Sequence, residues 1–180
     1  GAVVANDCGL GKTANACAYV KFHSEEATPT LYVVKSKTKF QWLKSIMTWI
    51  GPSHLGQIIE TGRDVLLPNL KSYIISYDLL RRFDRSKLQA IGFKLVVLDE
   101  CQQIKNVDSS RTQEVRKVLA DPSIKVIGMS ATPWKNRGEE LYPILNMVAP
   151  TKFPSPERFK KDWVDFYYHG NTIKQGGIKD

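Results

Sequence analysis

At 180 residues the chain is long enough for one domain with a full hydrophobic core, and 42% apolar with 24% charged residues is ordinary for a globular protein. There is no apolar run of the roughly 18 residues that a membrane helix needs, which excludes a helical span and gives no reason to expect a membrane partner. Lys and Arg outnumber Asp and Glu 26 to 18, and the charge of +8 favours a polyanionic partner, nucleic acid above all.

The chain opens on Gly1 and enters a short apolar strand, residues 2–6, at once; this reads as a piece of a longer protein without a secretory leader. A glycine-rich turn with Gly9 and Gly11 follows, then an Ala-rich helix from Thr13 to Phe22. Thr30 to Val34 reads as a buried strand. Phe40 to Ile50 reads as a helix, with apolar residues at Phe40, Leu43, Ile46, Met47 and Ile50.

Gln57–Glu60 and Ser72–Ser76 are further strands, and Asp78–Phe83 and Ser86–Ile91 are short helices. Phe93–Leu98 is an apolar strand ending in two acids, Ser109–Leu119 a helix, Ile124–Met129 a strand and Gly138–Val148 a helix. A Pro-containing stretch, 149–156, leads into a last helix from Glu157 to about Tyr168. Residues 170–180, with three glycines, read as a loop or severed linker. Residues 1–150 are thus expected to form the lobe and 151–180 its C-terminal helix and linker.

Strands alternating with helices, without tight hairpins between them, predict an α/β fold whose mainly parallel sheet is covered on both faces. Ligands of such folds sit beyond the carboxyl ends of the strands. Three strands here end in chemically loaded strings, N-D-C-G-L-G-K-T, D-E-C-Q and S-A-T.

The first string, Asn6 to Thr13, has the composition of a phosphate loop. Glycines at Gly9 and Gly11 let successive backbone N–H groups, from Asp7 through Leu10 to Thr13, turn toward phosphate oxygens. Lys12 reaches the β- and γ-phosphates and Thr13 offers a hydroxyl to Mg²⁺, while the helix begun here aims its positive end at the same charge. The general pattern has Gly where Asn6 stands.

Leu95 to Leu98 deliver Asp99 and Glu100 to a strand end, where one carboxylate holds Mg²⁺ and its neighbour positions the attacking water; Asp99 is assigned to the metal and Glu100 to the water. Ser130 and Thr132, at the third strand end, are placed to sense the γ-phosphate region. The three cysteines, Cys8, Cys17 and Cys101, show no metal spacing and fit free thiols in a reducing, intracellular compartment. His23, His54 and His169 are scattered and read as surface or core histidines.

Taken together, D-x-G-L-G-K-T, D-E-x-x-x-I-K-N (Asp99 to Asn106) and S-A-T-P-x-x-N (Ser130 to Asn136) followed by E-L-Y resemble motifs I, II and III of superfamily-two helicase-like ATPases. Ile104-Lys105-Asn106 points to the SWI/SNF branch. Leu31 to Trp42 is similar to that family's motif Ia and Ser76 to Leu80 to its motif Ib, so the likeness covers nearly the whole chain in order.

The resemblance implies the first, RecA-like phosphate-loop NTPase lobe of a three-layer α/β/α kind. Such a lobe binds ATP and Mg²⁺, works with a second RecA-like lobe, and tracks along double-stranded DNA. It also implies backbone contacts to DNA from Lys35, Ser36, Lys37, Ser76 and Tyr77, residue types suited to phosphate rather than base readout. Three departures stand out: Gln102 replaces the usual His, so coupling to Ser130 and Thr132 lacks a chargeable group; the motif Ia proline is absent, with Lys35 near its place; and Cys8 and Cys101 stand at apolar-favouring positions as small fillers. Trp42 and Trp49 are expected in the core and Trp134 near the cleft.

Two other classes compete. A phosphate-loop kinase or GTPase fails to account for I-K-N and S-A-T-P-x-x-N, and no N-K-x-D is present, although Arg81 to Arg85 could pose as a kinase lid. A non-catalytic nucleotide- or DNA-binding module is the stronger rival. Arginines that the family supplies from its second lobe are absent here, and a missing arginine finger costs about 10³–10⁵ in rate. The chain alone is therefore expected to be nearly inactive, within a parent protein that is a DNA-dependent ATPase. Oligomeric state and direction of tracking are not legible.

Overall fold

The computed structural model of the chain describes residues 1–133, 137–169 and 172–179, with side chains for all of these except 167–169 and 172–175. Its first half runs β1 (Ala2–Val4), α1 (Lys12–Phe22), α2 (Ser24–Ala27), β2 (Thr30–Val34), α3 (Lys39–Trp49), β3 (Gly56–Ile58) and β4 (Ser72–Ser76). The second half runs α4 (Tyr77–Leu80), α5 (Arg85–Ile91), β5 (Leu95–Asp99), α6 (Ser110–Val118), β6 (Lys125–Met129), α7 (Tyr142–Val148), α8 (Pro156–Trp163), β7 (Val164–His169) and β8 (Thr172–Ile178).

Six strands form one sheet in the order β1-β6-β5-β2-β4-β3, and every neighbouring pair is parallel. The inner strands β2 and β4 are buried at all five positions, which is why neither shows the apolar–polar alternation of a half-exposed strand. Their alternation shows instead in the layer each residue enters. Leu31, Val33, Tyr73, Ile75, Val96 and Leu98 pack with Leu79, Leu88, Val115 and Ile144 from α4, α5, α6 and α7. Tyr32, Val34, Ile74, Leu95 and Val97 pack on the other face with Cys17, Val20, Trp42 and Ile46 from α1 and α3. The chain is the three-layer α/β/α lobe that the sequence predicts.

Three expectations are corrected. The last helix ends at Trp163 rather than near Tyr168, and the segment beyond it is an antiparallel hairpin of β7 and β8, not a loop or linker. The run V-D-F-Y-Y-H is rich in β-branched and aromatic residues, which favour a pleated strand over helix continuation. The hairpin closes a small separate core of Tyr142, Phe159 and Val164, flanked by Leu141, Phe153 and Ile178. Backbone approaches backbone there: a Cβ on Gly138 would lie 2.6 Å from the Gly177 carbonyl oxygen. Trp49, expected in the core, is 53% exposed because it ends α3 on the outer side of the helix, whereas Trp42 is buried.

Candidate nucleotide site

Parallel strands place all their carboxyl ends on one edge, and the loaded strings meet there. β1 pairs with β6, and β6 with β5, so the loop after Val4, the acids after Leu98 and the turn after Met129 are neighbours. In the loop, Gly9 (φ 83°) and Gly11 (φ 73°) adopt the left-handed region that costs other residues about 1–2 kcal/mol. Gly11 then serves as the residue before α1, and Lys12 is the first residue of the helix.

Cys8, Gly9, Gly11, Lys12 and Thr13 form one wall of an open cleft whose floor is Asp99 and Glu100. The Lys12 ammonium folds back onto its own loop, donating to the carbonyl oxygens of Asn6 (2.8 Å) and Asp7 (2.9 Å). The opposite wall is the polar stripe of α3 and the turn before it, Thr38, Gln41, Trp42 and Ser45. This wall is not legible as a site in the sequence. The one signal for it is a tryptophan on a buried face, since a buried indole N–H requires an acceptor. Here that acceptor is the metal-assigned carboxylate: Trp42 Nε1 donates to Asp99 Oδ2 at 2.9 Å.

The two acids are driven apart electrostatically. Burial lifts the Asp99 carboxyl above its ordinary value; the Trp42 hydrogen bond opposes this, and the Glu100 charge adds to it. For Glu100 burial also opposes ionisation, but the hydrogen bond from Gln102 and the Lys35 charge outweigh it and hold the carboxyl below its ordinary value. Gln102 Nε2 donates to Glu100 Oε2 at 2.6 Å, and Lys35 Nζ lies 3.4 Å from Glu100 Oε1. Glu100 itself has a left-handed backbone (φ 51°), which turns the chain sharply off the strand.

Other expected site residues fall differently. The Ser130 hydroxyl is buried and accepts from the Thr132 N–H (2.9 Å), while the Ser130 N–H donates to Val4 O (3.1 Å), so this residue fastens the third turn to β1. Thr132 is exposed. Among the described hydrogen bonds, Gln102 reaches Glu100 rather than Ser130 or Thr132, and its Oε1 is buried without a partner. Trp134 and Asn136 lie outside the described residues.

Of the residues expected to face DNA, Ser36 and Lys37 are exposed on the turn before α3, and Lys35 is half-buried against Glu100. Ser76 and Tyr77 are buried and turned inward: Ser76 Oγ accepts from the Leu79 N–H as the α4 cap, and the Tyr77 hydroxyl donates to the main-chain oxygen of Asp99 at 2.8 Å. Cys101 is a buried filler whose thiol is pushed up to about 12 by burial, but Cys8 is exposed on the cleft wall, contrary to its reading as a filler. Lys105 of the I-K-N string pairs with Glu140 of E-L-Y at 2.9 Å, joining the exit from the second motif to the segment after the third.

The donor set suits Mg²⁺ held partly by a nucleotide. No group of three or more His, Cys, Asp or Glu able to cage a metal occurs among the described residues. Thr13 and Asp99 instead share the cleft, and Mg²⁺ commonly takes one or two protein oxygens and completes its shell with water and phosphate.

Similarity to known proteins agrees with this geometry. The chain is 36% identical over 155 residues to the SWI/SNF-related matrix-associated actin-dependent regulator of chromatin subfamily A-like protein 1 of Xenopus laevis, covering 84% of this chain and 16% of that protein. It is 29% identical over 158 residues to the human DNA annealing helicase and endonuclease ZRANB3, covering 84% of this chain and 14% of that protein. The chain thus spans about a sixth of the length of these relatives. Among solved structures, the Sulfolobus solfataricus SWI2/SNF2 ATPase core in complex with dsDNA superposes with a TM-score of 0.70 at 23% identity, covering 90% of this chain and 34% of that one, a likeness of fold. The SNF2-related domain matches residues 1–175, and the chain belongs to that family.

Proposed function

We propose that this chain is the ATP-binding lobe of a DNA-dependent ATPase that tracks along duplex DNA. The observation that carries the reading is the meeting of the glycine loop, Lys12, Thr13, Asp99 and Glu100 in one cleft at the carboxyl edge of the sheet. In this reading the backbone N–H groups of the loop and the start of α1 hold the phosphates. Lys12 leaves the two loop carbonyls for the β- and γ-phosphates. Thr13 and Asp99 hold Mg²⁺, which when bound neutralises charge developing on the phosphates. Glu100, kept ionised by Gln102 and Lys35, orients the attacking water.

Duplex DNA is the polyanion that fits the positive charge and the exposed Ser36–Lys37 turn. Ser76 and Tyr77, buried at the neighbouring strand end, cap α4 and hold the Asp99 backbone. The names of the relatives, chromatin regulator and DNA annealing helicase, speak for the same partner. Completion by a second lobe that brings arginines to the γ-phosphate belongs to the same reading and is carried by the likeness to SWI/SNF-type ATPases.

Calorimetry of Mg²⁺-ATP binding to the chain, beside its Lys12→Ala and Glu100→Gln variants, tests the reading. Binding is expected in the wild type, retained with Glu100→Gln and weakened about 10-fold or more with Lys12→Ala. Turnover by the chain alone stays near background. Affinity unaffected by Lys12→Ala, or robust DNA-stimulated turnover without a second lobe, overturns the respective part of the proposal.

A further inference from the structure

We propose that Trp42 is a positioning residue for the Asp99 carboxylate, fixing the metal-assigned oxygens at the cleft and tying them to the turn at 36–38. The inference rests on the role given to Asp99 under the proposed function and extends it to a residue on the opposite wall. The indole is 2% exposed, tilted against the Tyr32 ring with centroids 5.1 Å apart, and shares its core with Ile46 and Val34. Packed in this way it cannot swing, and its N–H, a donor with no acceptor capacity, has one orientation to offer.

That N–H meets Asp99 Oδ2 at 2.9 Å. The Tyr77 hydroxyl meets the main-chain oxygen of the same residue at 2.8 Å. Asp99 is therefore held twice, at its carboxylate by the helix after β2 and at its backbone by the helix after β4. A carboxylate so close to the core needs such donors to remain in one place.

Trp42 also lies in the first turn of α3, directly behind the turn that carries Ser36 and Lys37. That turn is closed by the N–H (3.0 Å) and hydroxyl (2.9 Å) of Thr38, both donating to Lys35 O. A hydrogen bond to a metal-ligating side chain sets the ligand's orientation, and its loss commonly costs about 10–100-fold in metal affinity.

The test is Mn²⁺ binding, read by electron paramagnetic resonance, to the chain saturated with a non-hydrolysable ATP analogue. Trp42→Phe keeps an aromatic ring and removes the N–H. It is expected to weaken Mn²⁺ affinity about 10-fold while leaving metal-free nucleotide affinity within about twofold, and to have no further effect in an Asp99→Asn background. Replacing the indole with benzothiophene, which keeps the bicyclic shape without the N–H, gives the same result and stands in if Trp42→Phe does not fold. Unchanged Mn²⁺ affinity, or an equal loss in the Asp99→Asn background, overturns the positioning role alone. A wild type that takes up nucleotide but no Mn²⁺ overturns the inference together with the metal assignment, and one that binds neither overturns the proposed function as well.

Discussion

Lys35, which the sequence offers as a contact for DNA phosphate, stands 3.4 Å from Glu100, the carboxylate assigned to the attacking water. It occupies the place where relatives are expected to carry proline, and β2 delivers it to the same edge as β5 because the two strands pair in register, Val33 beside Leu98. The ammonium can hold the acid or a phosphate, and the geometry favours the acid.

Lys35→Met in the parent protein is expected to lower DNA-stimulated turnover several-fold while leaving the salt dependence of DNA binding unchanged. Lys37→Ala is expected to do the reverse, reducing the slope of log affinity against log salt by about 0.9. Both partners of the Lys35–Glu100 pair are 35% exposed, so the melting temperature of Lys35→Met stays within about 2 °C of wild type. A reduced salt slope for Lys35→Met would return that residue to the DNA surface.

The pH dependence of stability separates the two acids. Burial raises the Asp99 carboxyl in the folded state, so the folded protein holds this proton more tightly than the unfolded chain. Its stabilising contribution is present at low pH and is lost as pH rises through the window above the ordinary Asp value. Asp99→Asn removes that loss, and the variant is expected to melt higher than wild type at pH 7, with the gain vanishing in acid. Glu100, held below its ordinary value, behaves oppositely: its contribution is present at neutral pH and is lost as pH falls through the lowered value. Glu100→Gln therefore melts slightly lower at pH 7, and thermal melts from pH 3 to pH 8 read both effects.

Thiol labelling reports the cleft directly. Cys8 is exposed on the cleft wall, whereas Cys17 and Cys101 are buried, with thiols pushed up to about 12. One thiol is expected to react rapidly with an aromatic disulfide reagent and two only on unfolding. Mg²⁺-ATP should slow the fast reaction, and the Lys12→Ala variant should lose that protection.

Gly9 has φ 83° and nothing within 4 Å of a Cβ placed on it. Gly9→Ala therefore meets conformational strain without collision and is expected to cost about 1–2 kcal/mol of stability in denaturant titration. Its loss of nucleotide affinity should exceed that of an exposed control such as Asn15→Ala, because the loop backbone must turn toward phosphate.

The architecture was legible because its signals are local. β2 and β5 carry unbroken apolar runs at 31–34 and 95–98, and the three loaded strings follow strands. What escaped depends on distance between elements. Nothing near Trp42 in sequence announces Asp99, 57 positions away. Ser76 and Tyr77 read as surface hydroxyls until the burial of β4 and α4 turns them inward. The terminal hairpin was missed although Gly170-Asn171, a dipeptide suited to tight turns, separates two runs of strand-forming residues.

The small core of Tyr142, Phe159 and Val164 beneath the β7–β8 hairpin has a consequence for how the lobe comes apart. Among the described residues it forms a cluster apart from the two apolar layers on the main sheet, whereas β2 and β4 are sealed at every position. Amide protons of the hairpin should exchange with solvent through local opening, those of β2 and β4 only when the whole lobe unfolds. An exchange map of the lobe is then expected to show two tiers of protection, the lower one over the pair of terminal strands and the higher one over the sheet that carries the cleft.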